Sequence, residues 1–200
     1  NLTLISEEIH AGLILDQDKT HTATANIPEA ADISVTLLSA SKTFNMPGLG
    51  CAYAIVKNPI LRNKLKKIMN GIVHHVGALG YTATLAAYAE GKPWHNALVD
   101  YLRVNRDCVE SSLSAHTQLT TYHSEATYLT WIDARQMNVE NPSKYFENFG
   151  IGIYDGAPFG APGFLRLNFA CPKTMLIEAL DRIQRGINAL KKKKKIPTIG

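Results

Sequence analysis

Lys42 stands where an amine has reason to be reactive. It follows the apolar run Ile33–Leu38 among small and hydroxylated residues, in the order Ser39, Ala40, Ser41, Lys42, Thr43. A lysine held at the end of a buried strand is partly desolvated, which lowers its pKa and frees the amine as a nucleophile or base. The neighbouring hydroxyls are neutral donors suited to a phosphate. Arg166 is a second candidate, in the alternating segment Phe164–Phe169. Its planar fork of donors suits two-point capture of a carboxylate. Taken singly, a lysine beside serines and an arginine on a strand are also what an ordinary surface provides. Metal chemistry has less footing: there is no CxxC or HExxH pattern, and His74-His75 is an isolated pair. Cys51, Cys108 and Cys171 lie far apart, an odd set that fits a reducing, cytoplasmic compartment.

Short apolar runs predict the strands that position these groups. Leu2–Ile5, Ile33–Leu38 and Gly50–Val56 are nearly continuous in apolar residues, the pattern of strands covered on both faces. The chemically able residues fall at their ends, where open α/β sheets place ligands. Asn58-Pro59 reads as a helix start, and Tyr81–Glu90 as an alanine-rich helix stopped by Gly91. Trp94 to about Leu113 carries Leu98, Leu102, Val109 and Leu113 on one helical stripe. Further strands are expected at Tyr128–Ile132, Ile151–Tyr154 and Phe164–Phe169, with a short helix over 141–149. A Gly/Pro-rich loop runs from Gly156 to Gly163, and Pro172 opens a last helix with the stripe Leu176, Leu180, Ile183, Ile187 and Leu190. The order predicts an α/β protein in two units, the remainder of an α/β sheet over about 1–70 and a smaller α+β unit over about 95–200, with the helices between them bridging the two.

Composition narrows the function classes. With 200 residues, 46% hydrophobic and 19% charged, the chain can bury a substantial core. No apolar run approaches the roughly 18 residues of a membrane span, and no signal peptide opens the sequence. The first residue is Asn1, which reads as something other than a natural N-terminus. The net charge is +4, but five of the 21 basic residues are Lys191 to Lys195, leaving 16 against 17 acidic. The body is therefore close to neutral, which argues against a nucleic-acid surface and for a solvated lysine run at a helix end.

The words around these residues carry a family resemblance. SASKTFNMPGLGCAYAIV resembles the cofactor-lysine segment of pyridoxal-phosphate enzymes of fold type I, class I/II aminotransferase superfamily. Within it the chain is similar to the C–S lyases of the MalY/PatB type. LISEEIH, GKPWHNALVDYLRVNRD, ATYLTWIDAR and GFLRLNFACP resemble further words of that family, in the family's order and over nearly all of the chain. The resemblance begins midway through the family's pattern. The Gly-rich phosphate turn, the ring-stacking aromatic and the Asn-Pro-x-Gly asparagine of relatives have no counterpart here. It also implies that these residues alone bind the cofactor poorly.

The resemblance implies roles residue by residue. Lys42 is expected to form the Schiff base with pyridoxal 5'-phosphate and to move the substrate's α-proton. Glu7 stands where relatives have an aspartate pairing with the pyridine nitrogen, and is one methylene longer. His10 faces the cofactor's ring oxygen, and Ser39 and Ser41 belong to the phosphate cup. Arg166 takes the substrate α-carboxylate, with Tyr128 near the same pocket. Many aminotransferases carry a phosphate-gripping arginine eight residues after the lysine, where this chain has Gly50. The expected fold is aspartate aminotransferase-like, and the expected partners are an amino-acid substrate and a second subunit in a homodimer. Three functions stay open: a β-lyase acting on cystathionine or cysteine-like amino acids, an aminotransferase, and a non-catalytic relative with a regulatory or contact role.

Overall fold

The computed structural model describes residues 2–194 and divides into two compact units, the first through Val99 and the second from Asp100. In the first unit, β1 (Leu4–Glu7) lies parallel to β2 (Ser34–Leu38), and β3 (Tyr53–Ile55) pairs antiparallel on the other side of β2. A parallel pair needs a long crossover. Residues 8–33 supply it, with α1 (Pro28–Ala31) at its end. Ser34, Val35 and Thr36 of β2 are buried, but the flanking strands are not: Ile5 is 68% exposed and Ile55 42%. The expectation of three strands covered on both faces thus holds only for β2. Cover over the flanking strands is partial: Thr24 meets Ser6 of β1 and Tyr88 meets Tyr53 of β3, but Ile5 and Ile55 stay open to water. The strands themselves begin at Leu4 and Tyr53, later than their apolar runs.

Two helices follow. Asn58 caps α2 (Pro59–Met69), its Oδ1 accepting from the Ile60 and Leu61 backbone N–H groups. Helix α3 (Ala78–Glu90) is apolar around most of its circumference and ends at Gly91. The dividing point between the units falls inside α4 (Lys92–Ser114), whose later turns bury Leu102, Val109 and Leu113.

The second unit is an antiparallel sheet of order β4-β5-β7-β6, formed by Thr120–Thr121, Leu129–Asp133, Phe164–Asn168 and Tyr154–Asp155 respectively. Alternation is strict in its centre. Thr130, Ile132, Leu165 and Leu167 are buried, while Trp131 and Arg166 stand opposite each other on the other face. Asn105 of α4 donates from Nδ2 to the carbonyls of Phe169 and Cys171, tying helix to strand end. Helix α5 (Pro142–Glu147) is capped by Asn141, and α6 (Lys173–Lys194) buries all five residues of its expected stripe. It takes in Lys191 to Lys194; Lys195 lies outside the described residues.

The strand expected at Ile151–Tyr154 is a correction. Pairing is confined to Tyr154–Asp155, because the Ile153 carbonyl accepts from Ser143 Oγ of α5 at 2.6 Å instead of joining the ladder. Ile151 and Ile153 are buried all the same.

One buried group makes this unit acid-sensitive. His116 is buried, its Nδ1 has no hydrogen-bond partner among the described residues, and burial together with the Lys191 charge lowers its pKa below the ordinary 6.5. The fold therefore favours the neutral ring. That contribution is complete above the unfolded value of 6.5 and is lost as pH falls below it. Thermal melts followed by circular dichroism should show Tm declining from pH 7 to pH 5. The His116→Phe variant should show a shallower decline over the same window.

Candidate functional site

The first unit gathers its candidates at one edge of the sheet. Because β1 and β2 are parallel and Glu7 is in register with Leu37, both strands deliver their carboxyl ends to the same side. Glu7 ends β1, Ser39 follows β2, and Lys42 comes three residues later in a turn. That turn is closed by the Phe44 N–H donating to Ala40 O and the Met46 N–H donating to Ser41 O, at 2.9 and 3.0 Å. Asn45 takes a left-handed φ of 52° to allow the reversal.

Apolar anchors hold the turn from beneath. Ala40 and Thr43 are buried, and the Phe44 ring stacks on Trp94 at 5.8 Å and meets Tyr88 edge-on at 5.9 Å. Lys42 itself remains half-buried. Two glycines make room. A Cβ on Gly91 would come within 2.6 Å of the Phe44 ring, and one on Gly12 within 2.7 Å of the Thr43 hydroxyl oxygen. His95 bonds through Nε2 to the Gly12 carbonyl, so the segment after β1 and the lysine turn are fixed to the same helix, α4. A cleft of about 400 Å³ opens beside the turn, lined among others by Ser39, Thr43, Phe44 and Tyr88.

Ser39 is buried and largely committed. Its hydroxyl donates to Cys51 O at 2.6 Å and accepts the Ser41 backbone N–H at 3.1 Å, with Ser41 Oγ 3.0 Å away. Ser41 is the more accessible hydroxyl of the pair. His10 is half-buried in the turn after β1, its carbonyl accepting from the Leu13 N–H.

The paired acids Glu7 and Glu8 part company, as alternation along a strand requires. Glu7 is exposed. Glu8 is buried and accepts from Ser6 Oγ, the Thr24 N–H and His21 Nε2, the last at 2.7 Å. Burial alone would raise its pKa, but these hydrogen bonds outweigh it and hold the carboxyl at about 2. Glu8 thus fastens the crossover to the end of β1 and leaves Glu7 unspent. Sequence reasoning missed Glu8; the signal was the adjacent pair of acids at a strand end, of which only one can face outward.

In the second unit, Arg166 lies mid-strand on β7, between Leu165 and Leu167. Its guanidinium carbon sits 4.7 Å from the centroid of Tyr154 and 4.5 Å from that of Phe159. Tyr128 immediately precedes β5 rather than opening it, and its carbonyl accepts from the Phe169 N–H. Burial pushes the Tyr128 phenol up. Neither ring beside Arg166 was singled out from sequence, although Tyr154 is its register partner on β6.

A lysine turn and a carboxylate at the ends of adjacent parallel strands, followed by an antiparallel unit presenting an arginine, define a class. The chain belongs to the class I and II aminotransferase family, which it matches over residues 1–183. Its fold is that of the pyridoxal-phosphate-dependent aminotransferases. It is similar to cystathionine beta-lyase PatB of Bacillus subtilis (strain 168), 32% identical over 196 residues, with 94% of this chain and 50% of the relative covered. Among solved structures it resembles OvoB, with a TM-score of 0.92 and 40% identity over 94% of this chain and 50% of that one. It also resembles cystalysin of Treponema denticola, which contains a pyridoxal 5'-phosphate cofactor, at TM-score 0.86 and 32% identity, again over 94% and 50%. The chain spans about half the length of the relatives it matches.

The packing under Lys42 can be tested at Gly91. Its φ of −75° suits alanine, so what opposes the substitution is contact: the added Cβ would meet the Ala87 carbonyl oxygen as well as the Phe44 ring. Gly91→Ala should cost about 1–3 kcal/mol by overpacking. Urea denaturation would measure the loss, and a shifted Trp94 emission would report displacement of its stacked partner.

Proposed function

We propose that this chain carries the chemistry of a pyridoxal-phosphate-dependent C–S β-lyase, cleaving cystathionine or a cysteine-like amino acid to a thiol, pyruvate and ammonia. The observation that carries the reading is the meeting of Lys42, Ser39 and Glu7 at the carboxyl ends of parallel neighbours β1 and β2. The donor set fits the cofactor: an amine for its aldehyde, a carboxylate for its ring nitrogen, and hydroxyls for its phosphate. When bound, the cofactor supplies an electron sink for charge developing at the substrate's α-carbon.

The chain's own residues do the rest. Lys42 holds the cofactor and then moves the α-proton, its amine kept in place by the anchored turn. Glu7, not drawn into internal bonds as Glu8 is, keeps a negative charge available to a protonated ring nitrogen. His10 donates toward the cofactor's ring oxygen, Ser39 orders Ser41, and both contribute to the phosphate cup. Arg166 binds the substrate carboxylate, with Tyr128 in the same pocket. On this reading residues 1–94 are part of a large cofactor-binding domain and 95–200 a small α+β domain. The protein works as a cytoplasmic homodimer.

An aminotransferase is the second reading, and one observation weighs against it. Gly50, eight residues after Lys42, takes a left-handed φ of 55°, a conformation in which an arginine would be strained. The position is therefore built for glycine rather than for a phosphate-gripping side chain.

Reduction of the cofactor-loaded protein with borohydride should place the label on the peptide containing Lys42; a label on another lysine would refute the assignment. Pyruvate should be released from cystathionine without added keto acid. Strict dependence on a keto acid would favour the aminotransferase. Lys42→Ala should abolish both results while sparing any role that depends on contact alone.

A further inference from the structure

Arg166 is held in a way unlike the ion-paired arginines of its unit. Arg135 is paired with Asp133 through two bonds at 3.0 and 2.7 Å, Arg103 with Asp100, and Arg182 with Glu178 and the Gly150 carbonyl. Arg166 has neither a carboxylate nor a carbonyl among the described residues, and its buried Nε makes no hydrogen bond. Two ring faces stand in their place, Tyr154 and Phe159, each with its centroid less than 5 Å from the guanidinium carbon. Aromatic faces attract the positive charge without consuming the N–H donors of the fork.

The rings are themselves fixed. Tyr154 is opposite Arg166 in the β6–β7 register. Phe159 ends a single turn of 3₁₀ helix, Ala157–Phe159, in the Gly/Pro-rich loop. That loop is closed by the Gly156 N–H donating to Phe164 O at 2.8 Å and the Ala161 N–H donating to Gly156 O at 3.1 Å. A Cβ on Gly156 would lie 2.5 Å from the Ala161 carbonyl oxygen, so the closure requires glycine. Beyond Phe159, Trp131 meets its ring edge-on at 6.0 Å and stacks on Phe164 at 5.6 Å, and Arg135 lies 4.9 Å over Phe164. The result is a file of three rings with an arginine at either end. Asp133 neutralises one end; at the other, half-buried Arg166 has no carboxylate partner among the described residues.

We propose that Tyr154 and Phe159 are positioning residues that clamp the Arg166 guanidinium by its charge and leave its hydrogen-bonding fork free for a carboxylate. The clamp rests on the reading of Arg166 as the carboxylate-binding residue. It deepens that reading by making the two rings, rather than an acidic partner, the determinants of affinity. A carboxylate partner would compete with the substrate for the fork; an aromatic one does not. Loss of a ring should therefore weaken carboxylate binding in substrate and transition state alike, raising KM and leaving kcat nearly unchanged.

The test uses the holoenzyme and has two readouts. In NMR, the Arg166 Nε–Hε proton should be displaced by the two ring currents relative to that of Arg182, and Phe159→Leu should remove much of the displacement. In steady-state kinetics with cystathionine, Phe159→Leu and Tyr154→Leu should each raise KM about three- to tenfold, with the inhibition constant of propionate rising in parallel. Phe159→Tyr, which restores a ring, should return both values most of the way. If Arg166→Lys changes neither KM nor propionate inhibition, the carboxylate reading of Arg166 fails. If Arg166→Lys weakens both but the leucine variants do not, the clamp is overturned and the carboxylate reading stands. Should a leucine variant fail to fold, the unaltered holoenzyme decides: an Arg166 proton without ring-current displacement overturns the clamp.

Discussion

The parallel pairing of Leu4–Glu7 with Ser34–Leu38 is the constraint on which the first unit turns. Parallel strands release their chains at the same edge, so whatever follows each strand is forced into one neighbourhood. A hairpin would have sent the lysine and the carboxylate to opposite ends. The long crossover this demands is itself secured at that edge, because Glu8 collects the Thr24 N–H and His21 from its far part. The bond network that fastens the connection and the residues offered to a ligand are thus interleaved, one side chain apart.

The two units share a logic of spent and unspent polar groups. Glu8 is consumed by the fold, and Glu7 beside it is not. Asp133 and Arg135 consume each other, whereas Arg166 is restrained by rings that take none of its donors. Ser39 gives its proton to Cys51 O and in doing so orders Ser41. In each case a group that retains bonding capacity stands beside others that are fully committed, and this is what pre-organisation means at the scale of single side chains.

Much of this was legible in the sequence because it follows from periodicity and local chemistry. The stripe Leu176, Leu180, Ile183, Ile187 and Leu190 is buried as its spacing required, and Asn58, Asn141 and Gly91 bound helices as their side chains, or lack of one, suggest. What escaped was decided by tertiary partners. Ile151–Ile153 has the composition of a strand, but Ser143 claims its carbonyl. Leu4, Ile5 and Ile55 have the composition of buried strand residues, but the described residues leave each of them more than a third exposed. The partners that bury Glu8 lie 13 and 16 residues away in sequence, and the rings beside Arg166 lie 12 and 7 away, so neither set of contacts follows from the periodicity of one element.

The apolar circumference of α3 has a consequence for how the molecule behaves in water. Leu79 and Leu85 are 75% and 71% exposed, and Ile60, Ile68 and Ile72 are similarly bare. Surface of this kind is driven out of water mainly by entropy near room temperature, and the drive fades on cooling. Self-association of the 200 residues through these side chains should accordingly strengthen on warming and in sulfate or phosphate salts.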